Sequence, residues 1–489
     1  MKGERNMIKE QTNRNTITTK NKTIRKEMTD MEKEKNIKNK KFDMTPADTY
    51  TAYTDNGRIL AQGITLSNNT WVTGLNNNDL IIGPSGAGKT RGYVKPNLMQ
   101  ANGSYVVADT KGSLYHEVGP LLKSKGYDVR LVDFKNTENT CGYNPLDYIR
   151  FDEKRGCYRE QDILSVSKVL APCQDQRNVF WDKAAELYLS CLISYVLEQL
   201  PEEEHSIEYV FKLFCEMNTG TFQELINELT VLEPDCFAVQ QYNMFKDNRT
   251  AEKMNESIRG ILAEHLNSLI FEDLVRSYHN PNRINFRELG QKKMALFLNI
   301  SDTDRSMDRL INLFYTQALQ VLCDSADNDY EDHRLPVPVR FILDDFAANF
   351  TIPDFDNITS VIRSREISVS IILQSISQLT KMYSPAAATT IINNCDNWLY
   401  LGGQDLETAK IISTRANVLQ NTIIDMPLEK AYLFTRGQKA RLVQKFDLKS
   451  HPEYSSLPEA FSHRAKTDSA NFDTLPQADE SNCYTAEIS

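Results

Sequence analysis

One eight-residue stretch has the composition and spacing of a phosphate-binding loop, G-x-x-x-x-G-K-[ST]. It consists of Gly83, Pro84, Ser85, Gly86, Ala87, Gly88, Lys89 and Thr90. The glycines allow backbone N–H groups to converge on phosphates, and the helix expected after the loop directs its positive end at them. Lys89 is expected to reach the β- and γ-phosphates of ATP, and the Thr90 hydroxyl to ligate Mg²⁺. An ordinary glycine-rich turn is the alternative interpretation.

A second apolar run, "RFILDDF", ends in the carboxylates of Asp344 and Asp345. Hydrolysis at a phosphate-binding loop requires a carboxylate on a neighbouring strand, because the metal is held opposite the loop threonine. We expect Asp344 to hold the magnesium through water and Asp345 to polarise the attacking water as a general base. A cap at the end of a strand is the alternative.

Polar side chains near the next apolar run, "SVSIILQS", could complete such a site. Gln374 ends this run and could sense the γ-phosphate or orient water, or it could be a solvated strand end. Arg363 and Arg365 precede the run. Either could stabilise charge on the nucleotide of a neighbouring subunit, although surface arginines are also common.

Alternating strands and helices are expected to position these residues. Strand-like runs alternate with helix-length segments from about Asp79 onward: "DLIIG", "SYVVADT", "DVRLVDF", "MALFLNI", "VRFILDDF", "SVSIILQS", "NWLYLGG" and "KAYLFTRG". Most runs are continuously apolar, which is typical of strands buried on both faces of a parallel sheet. The predicted class is α/β, with a mainly parallel sheet.

The strand-like runs are absent between Asp152 and about Asn285, where helical periodicity dominates. The predicted organisation is therefore an ATPase domain in two segments, 44–151 and 286–449, around an all-α insertion at 152–285. Residues 1–43 are predicted to be a disordered basic arm, with 13 Lys or Arg against 7 Asp or Glu. Residues 450–489 are predicted to be a disordered acidic tail.

Composition limits the possible classes of protein. The 489 residues carry a net charge of −10, which argues against a protein that coats nucleic acid over its whole surface. Apolar runs fall short of the roughly 18 residues of a membrane-spanning helix. The nine cysteines include no CxxC pair, and the seven histidines include no HExxH motif, so neither a zinc site nor a disulfide framework is indicated. We therefore expect a cytoplasmic protein, either free or peripheral at the inner face of the cell membrane.

Motifs between about Asn76 and about Leu448 carry a family resemblance. In chain order they are "LIIGPSGAGKT", "VVADTKGSLY", "GYNPLDY", "NVFWDKAAELYL", "FILDDFAANF", "VIRSREISVSIILQSISQL", "IINNCDNWLYLGGQDLETA" and "KAYLFTRGQKARLVQKF". This series resembles the TraG/TraD family of type IV secretion coupling proteins, the conjugative DNA-transfer ATPases. The resemblance implies a RecA-like motor domain with an inserted all-α domain. It also implies hexamers, often assembled on DNA, that hydrolyse ATP at subunit interfaces.

The resemblance also assigns site residues by motif position. It implies phosphate binding by Lys89 and Thr90, metal binding by Asp344, catalysis by Asp345 and action in trans by Arg363, with Gln374 at the position of the family's third-motif glutamine. The sequence departs from the family at two places. The catalytic position usually holds Glu, and the family usually begins with transmembrane helices where this chain has the basic arm. We expect that arm to attach electrostatically to DNA or to an acidic membrane surface, with a plain solvated tail as the alternative.

The segment "ADTKGSLY" resembles a D-P-K-G element of the same family, with Thr110 in place of proline. Asp109 and Lys111 would then face the nucleotide crevice at the carboxyl end of a strand. A simple strand-to-helix turn at Gly112 explains them nearly as well.

The phosphate-binding loop and the acidic pair predict an ATP hydrolase, and the family resemblance implies that it recruits DNA or a relaxase–DNA complex and pumps it to a type IV secretion channel. Predicted partners are single- or double-stranded DNA, relaxase or relaxosome proteins, and membrane channel subunits. Further copies of the chain would form a hexamer, with a monomer possible in the absence of DNA. Two alternatives are a soluble FtsK/HerA-like double-strand DNA translocase and a non-motor adaptor whose nucleotide site regulates assembly. DNA-stimulated turnover would separate a motor from an adaptor.

Overall fold

The computed structural model describes Tyr50–Thr51 and residues 57–136, 138, 140–172, 179–216, 220–247, 252–301, 303–346 and 351–459. The predicted basic arm, 1–43, and residues 460–489 of the predicted tail lie outside this part. The chain divides into two units, residues 1–51 and 52–489. The short strand Tyr50–Thr51 (β1) belongs to the first unit, and the second unit contains the predicted site.

Nine strands of the second unit form one large sheet. They are β4 (Asp79–Ile82), β5 (Ser104–Asp109), β6 (Asp128–Asp133), β9 (Met294–Asn299), β10 (Val339–Leu343), β11 (Ile367–Leu373), β12 (Asn397–Tyr400), β13 (Lys430–Thr435) and β14 (Arg441–Gln444). Their order is β14-β13-β12-β4-β11-β10-β5-β9-β6. All eight runs predicted from sequence are strands, and β14 is a ninth, which confirms the α/β class.

Seven of these strands, from β12 to β6 across the sheet, pair in parallel, and β13 and β14 extend the β12 side in antiparallel. Every residue of β4, β5, β10 and β11 is buried. Strands covered on both faces need apolar side chains at successive positions, which explains why alternation is absent from these runs. The sheet core therefore brings the carboxyl ends of β4, β11 and β10 side by side.

Two small hairpins accompany the sheet. Strand β2 (Gly57–Ala61) pairs with β3 (Ile64–Ser67), and β7 (Phe151–Asp152) pairs with β8 (Cys157–Tyr158). Neither hairpin was predicted, since strands of two to five residues give too little pattern. The second hairpin lies at the expected start of the insertion.

Helices cover the sheet and fill the region before β9. Outside the region between β8 and β9, the described helices are α1 (Thr70–Thr73), α2 (Lys95–Met99), α3 (Leu114–Ser124), α12 (Asp308–Asp329), α13 (Phe355–Val361), α14 (Ile376–Met382), α15 (Pro385–Asn393), α16 (Leu406–Ala416) and α17 (Gln420–Ile424). Within the described residues, no helix combines the length and apolarity that crossing a bilayer requires.

The region predicted as an all-α insertion, 152–285, holds a run of helices after β8. They are α4 (Glu160–Leu170), α5 (Val179–Gln199), α6 (Ile207–Glu216), α7 (Thr221–Leu232), α8 (Phe237–Asp247), α9 (Glu252–Asn267) and α10 (Glu272–Tyr278), followed by α11 (Arg287–Gln291). Their buried side chains belong to the same apolar cluster as those of the sheet. The division into separate domains therefore stays a proposal.

The predicted boundary of the acidic tail at residue 450 is too early. Two 3₁₀ turns, Leu448–Ser450 and Pro452–Ser456, continue the ordered chain. Leu457 is 1% exposed, and the Glu459 carboxylate lies 3.1 Å from Arg91 Nη1 and 3.4 Å from Lys95 Nζ. A polar composition suggested disorder, but one buried leucine and two ion pairs with the helical residues after the phosphate-binding loop hold these residues. We call residues 448–459 the carboxy-terminal segment.

Candidate active site

The predicted phosphate-binding loop runs from the end of β4 into a helical turn. Gly86 and Gly88 have φ values of 79° and 91°, in the left-handed region that favours glycine. A side chain at Gly83 would bring its Cβ within 2.9 Å of Ala87 Cβ and 3.0 Å of Leu401 Cβ. The loop therefore folds tightly on itself, and its three glycines are each required by conformation or by close packing.

Lys89 lies inside this loop. Its Nζ donates hydrogen bonds to the carbonyl oxygens of Gly83 at 2.8 Å and Pro84 at 3.3 Å, and it lies 3.7 Å from Asp345 Oδ1. The side chain is only about 8% exposed. The ammonium is therefore held against the phosphate-binding loop, between the loop carbonyls and the acidic pair.

Thr90 and Asp344 bring together a hydroxyl and a carboxylate suited to a magnesium ion. Thr90 Oγ1 donates to Asp344 Oδ2 at 3.1 Å, although the two residues are 254 positions apart in sequence. Burial, reinforced by the neighbouring carboxylate of Asp345, raises the pKa of Asp344 to about 6. A buried carboxylate with a raised pKa beside a hydroxyl is a site that a divalent cation would stabilise, because the cation compensates the buried charge.

Asp345 occupies a special backbone position. Its φ is 49°, in the left-handed region, and its N–H donates to Asp344 Oδ1 at 3.1 Å. Its carboxylate also faces Gln374, whose Nε2 donates to Asp345 Oδ1 at 3.5 Å. The structure thus brings Lys89, Thr90, Asp344, Asp345 and Gln374 together at the ends of three adjacent strands, as the sequence predicted.

Arg363 does not join this group within one chain. It lies in the 3₁₀ turn Ile362–Arg365 before β11, whereas Gln374 follows β11, so the length of a seven-residue strand, roughly 20 Å, separates the two ends. The Arg363 side chain is exposed, and its Nη2 donates a long hydrogen bond, 3.5 Å, to Thr70 O. Arg363 is therefore placed away from the phosphate-binding loop of its own chain.

Arg365 has a different setting, although it was the second candidate for the same role. Its guanidinium makes a bidentate pair with Asp327 of α12, with distances of 2.8 and 2.7 Å, and Nη1 donates to Val361 O at 2.9 Å. All three nitrogens thus have partners inside the chain. Arg365 fastens the turn to α12, which leaves Arg363 as the better candidate for contact with another subunit.

Asp109 closes the strand-to-helix turn, the alternative left open from sequence. Its carboxylate accepts hydrogen bonds from the backbone N–H groups of Ser113, Leu114 and Tyr115 at 3.2, 2.7 and 3.2 Å. These are the first N–H groups of α3, which need acceptors. Burial raises the pKa of Asp109, and the backbone hydrogen bonds oppose that rise. Lys111 is exposed in the turn.

A buried charged network under the loop was not predicted. Arg58 of β2 is 1% exposed, and its Nε lies 2.9 Å from Asp79 Oδ2 at the start of β4. Tyr93 donates to the same oxygen at 2.5 Å, and Arg340 Nη1 lies 3.5 Å from it. Tyr93 lies in a single π-helical turn, Thr90–Val94, directly after Lys89. Such turns occur often at functional sites, but no local sequence pattern marks them.

A buried parallel strand, a glycine-rich loop with Lys and Thr, and an acidic pair on a neighbouring strand together define a P-loop NTPase. The chain belongs to the family of type IV secretory system conjugative DNA transfer proteins, whose model matches residues 9–418.

Relatives with curated names are similar to most of this chain. Protein VirD4 of Rhizobium radiobacter is 24% identical over 337 residues, which cover 68% of this chain and 47% of VirD4. The type IV secretion system-coupling protein VirD4 of Bartonella henselae is 22% identical over 372 residues, covering 73% and 55%. The chain thus spans about half the length of the curated relatives it matches.

Solved structures share the fold. The plasmid coupling protein TrwB in complex with the non-hydrolysable ATP analogue ADPNP aligns with a TM-score of 0.59 and 15% identity, covering 81% of this chain and 90% of that chain. TrwB in complex with ADP and Mg²⁺ aligns with a TM-score of 0.58 and 15% identity, covering 81% and 91%. The predicted RecA-like fold is therefore confirmed.

Proposed function

We propose that this protein is an ATP hydrolase that drives DNA, or DNA bound to a relaxase, towards a type IV secretion channel during conjugative transfer. The observation that carries the proposal is the convergence of Lys89, Thr90, Asp344, Asp345 and Gln374 on one edge of the sheet. Family membership indicates what ATP hydrolysis would drive, since the family is one of conjugative DNA transfer. Segments 44–151 and 286–449 would form the motor and 152–285 the insertion.

The residues fit MgATP on the observations above. Gly86 and Gly88 permit the positive φ angles with which the loop can direct backbone N–H groups at phosphates, and the hydroxyl–carboxylate pair has the oxygen donors that Mg²⁺ prefers. When bound, Mg²⁺ neutralises charge on the phosphates. TrwB has been solved with an ATP analogue and with ADP and Mg²⁺. Loop residues 83–90 would bind the phosphates, and Thr90 and Asp344 would hold the metal.

The chain's own groups have separable roles in hydrolysis. Lys89 would direct its ammonium at the β- and γ-phosphates once it leaves the carbonyls of the loop. Asp345 would accept a proton from the attacking water. Gln374, whose amide already contacts that carboxylate, would orient the same water.

We also propose that Arg363 acts on the nucleotide of a neighbouring copy. Because Arg363 lies far from the phosphate-binding loop of its own chain, it could reach a nucleotide only on another subunit. The surface around it is suited to a protein–protein contact. Trp71, Val72 and Val361 are 75%, 46% and 48% exposed on the same part of the surface as Thr70, which Arg363 contacts. Exposed aromatic and aliphatic side chains around an arginine are typical of protein interfaces. We infer a ring, with a hexamer as the family's usual form, built from subunits that separate without DNA.

The other partners in this proposal are DNA, relaxase or relaxosome proteins and the membrane subunits of the channel. The motor would work at the cytoplasmic face of the membrane. The decisive experiment is steady-state ATP hydrolysis with and without DNA, over a range of protein concentrations. We expect DNA to increase turnover several-fold, and Lys89→Ala to abolish hydrolysis while the melting temperature stays within a few degrees. Nucleotide binding without any hydrolysis, with or without DNA, would favour the adaptor alternative.

A further inference from the structure

A second lysine, Lys445, contacts the phosphate-binding loop from outside. It directly follows β14, and its Nζ donates to the carbonyl oxygens of Ala87 at 3.0 Å and Leu401 at 2.8 Å. We propose that Lys445 is a positioning residue for ATP, which fixes the loop and its neighbour in the conformation that accepts phosphates. This inference rests on the proposed function, because it supposes that nucleotide binds at residues 83–90.

The bond to Ala87 controls the direction of a peptide plane. In a trans peptide the C=O of one residue and the N–H of the next point in opposite directions. An ammonium that holds the Ala87 carbonyl outward therefore turns the Gly88 N–H towards the other side. Because Gly86 and Gly88 both have positive φ, the intervening peptide has little steric restraint of its own. Lys445 supplies the restraint that the glycines lack.

The bond to Leu401 fixes the neighbouring loop at the same time. Leu401 follows β12, its N–H donates to Ile82 O at 2.7 Å, and its side chain packs against the Gly83 position. Gly402 and Gly403 come next, with φ values of 99° and 156°. One ammonium thus joins two glycine-containing loops at the carboxyl ends of adjacent strands β4 and β12.

The charge of Lys445 is also suited to phosphates. Among the described residues Lys445 takes part in no ion pair, unlike the buried Arg58. Partial burial lowers the pKa of Lys445, and Glu429 opposes that change. A cation that is satisfied by carbonyl dipoles rather than by a carboxylate keeps its field available to nearby anions. The antiparallel pair β13–β14 places Lys445, at the end of β14, beside the phosphate-binding loop.

The test compares nucleotide affinity with turnover in the full chain. Lys445→Met removes the charge and both hydrogen bonds but keeps the length of the side chain. Lys439→Met is the matched control, since Lys439 lies exposed in the turn at the opposite end of the β13–β14 hairpin. The measurements are the Kd of a fluorescent ADP, its competition by inorganic tripolyphosphate, and KM and kcat for ATP. The melting temperature without nucleotide is a further readout.

We expect Lys445→Met to raise the Kd and KM by about tenfold, the effect of one lost charge-assisted interaction, with kcat within about twofold of wild type. Lys445→Arg should recover most of the affinity, and Lys439→Met should behave as wild type. If Lys445→Met does not fold, Lys445→Ala takes its place, since it also lacks the charge and both hydrogen bonds. Wild-type affinity in a folded Met or Ala variant overturns the inference. A wild-type protein that binds no nucleotide instead overturns the proposed function.

Discussion

The acidic pair after β10 illustrates how a single backbone angle affects the choice of a catalytic residue. Asp345, with φ of 49°, holds a conformation in which Asp and Asn are several-fold enriched over longer side chains. The family usually has Glu at this position. In this chain a short acid suits the backbone, and contacts with Lys89 and Gln374 show that it still reaches the centre of the site.

Asp345 gives the first prediction at the scale of one residue. Asn adopts the same backbone as readily, so Asp345→Asn should bind MgATP within about threefold of wild type but turn over about 10²–10⁴-fold more slowly, having lost the base. Asp345→Glu keeps a carboxylate and should hydrolyse faster than the Asn variant, with about 1 kcal/mol lower unfolding free energy from backbone strain. The measurements are nucleotide titration, steady-state kinetics and urea denaturation. Normal turnover of the Asn variant would show that the base lies elsewhere.

The two arginines of one 3₁₀ turn give the second prediction. Arg365→Ala breaks the bidentate pair with Asp327 and should lower the free energy of unfolding by about 1 kcal/mol. The loss is kept this small because the pair is partly exposed and solvent weakens its attraction. Arg363→Ala removes one long hydrogen bond and should leave stability nearly unchanged, while hydrolysis falls by orders of magnitude. Urea denaturation and ATPase assays on both variants separate the roles. The reverse pattern would exchange the assignments of the two residues.

At the scale of elements, the carboxy-terminal segment is joined to the helical residues that follow the phosphate-binding loop. Truncation after residue 459 should leave the melting temperature unchanged, whereas truncation after residue 449 removes Leu457 and the Glu459 pairs with Arg91 and Lys95. We expect the shorter protein to lose about 2 kcal/mol, the usual cost of one buried leucine. Thermal melts of the two truncated proteins check this. Equal stability would mean that the segment contributes nothing to the fold.

The elements also show how far sequence reasoning reached. Most of the eight predicted strands carry a continuous apolar run, the property that burial on both faces demands. The edge strand β6 is the exception, since Val132 is its one buried residue among six. Strand β14 was missed because this edge strand buries only Val443 among four residues, so no run marks it. As a result, the sequence alone could not place Lys445 beside Ala87, because their contact depends on the position of β14 at the edge of the sheet.

The convergence of the candidate site residues was predictable for a similar reason. Lys89, Thr90, Asp344, Asp345 and Gln374 each end or follow a strand, and parallel strands put their carboxyl ends on one edge. The network of Arg58, Asp79, Tyr93 and Arg340 was not predictable. Its members come from separate elements and depend on strand order, which the sequence does not encode in any local pattern.

At the scale of the whole molecule, the proposed action of Arg363 on a neighbouring copy would require the subunits to form a ring. Arg363→Ala removes the arginine from one side of an interface, and Lys89→Ala removes the loop lysine from the other side. A mixed ring therefore contains some interfaces with both residues intact. We expect two inactive proteins to recover activity when they are mixed with DNA, to a level that depends on their ratio. Specific activity of the wild type should also rise with protein concentration. Full activity of Arg363→Ala at every concentration would contradict this arrangement.

The order of the sheet has a consequence for how the chain is made. Strands β4, β5 and β6 do not pair with one another; each pairs only with strands that follow the helical region, as in Tyr105 with Ala295. A ribosome adding about 5–20 residues per second needs on the order of ten seconds or more to travel from Asp133, the end of β6, to Met294, the start of its partner β9. During that interval β4, β5 and β6 have been synthesised without the strands they pair with. We therefore expect the nascent protein to bind chaperones that shield exposed strands until the second half has been synthesised.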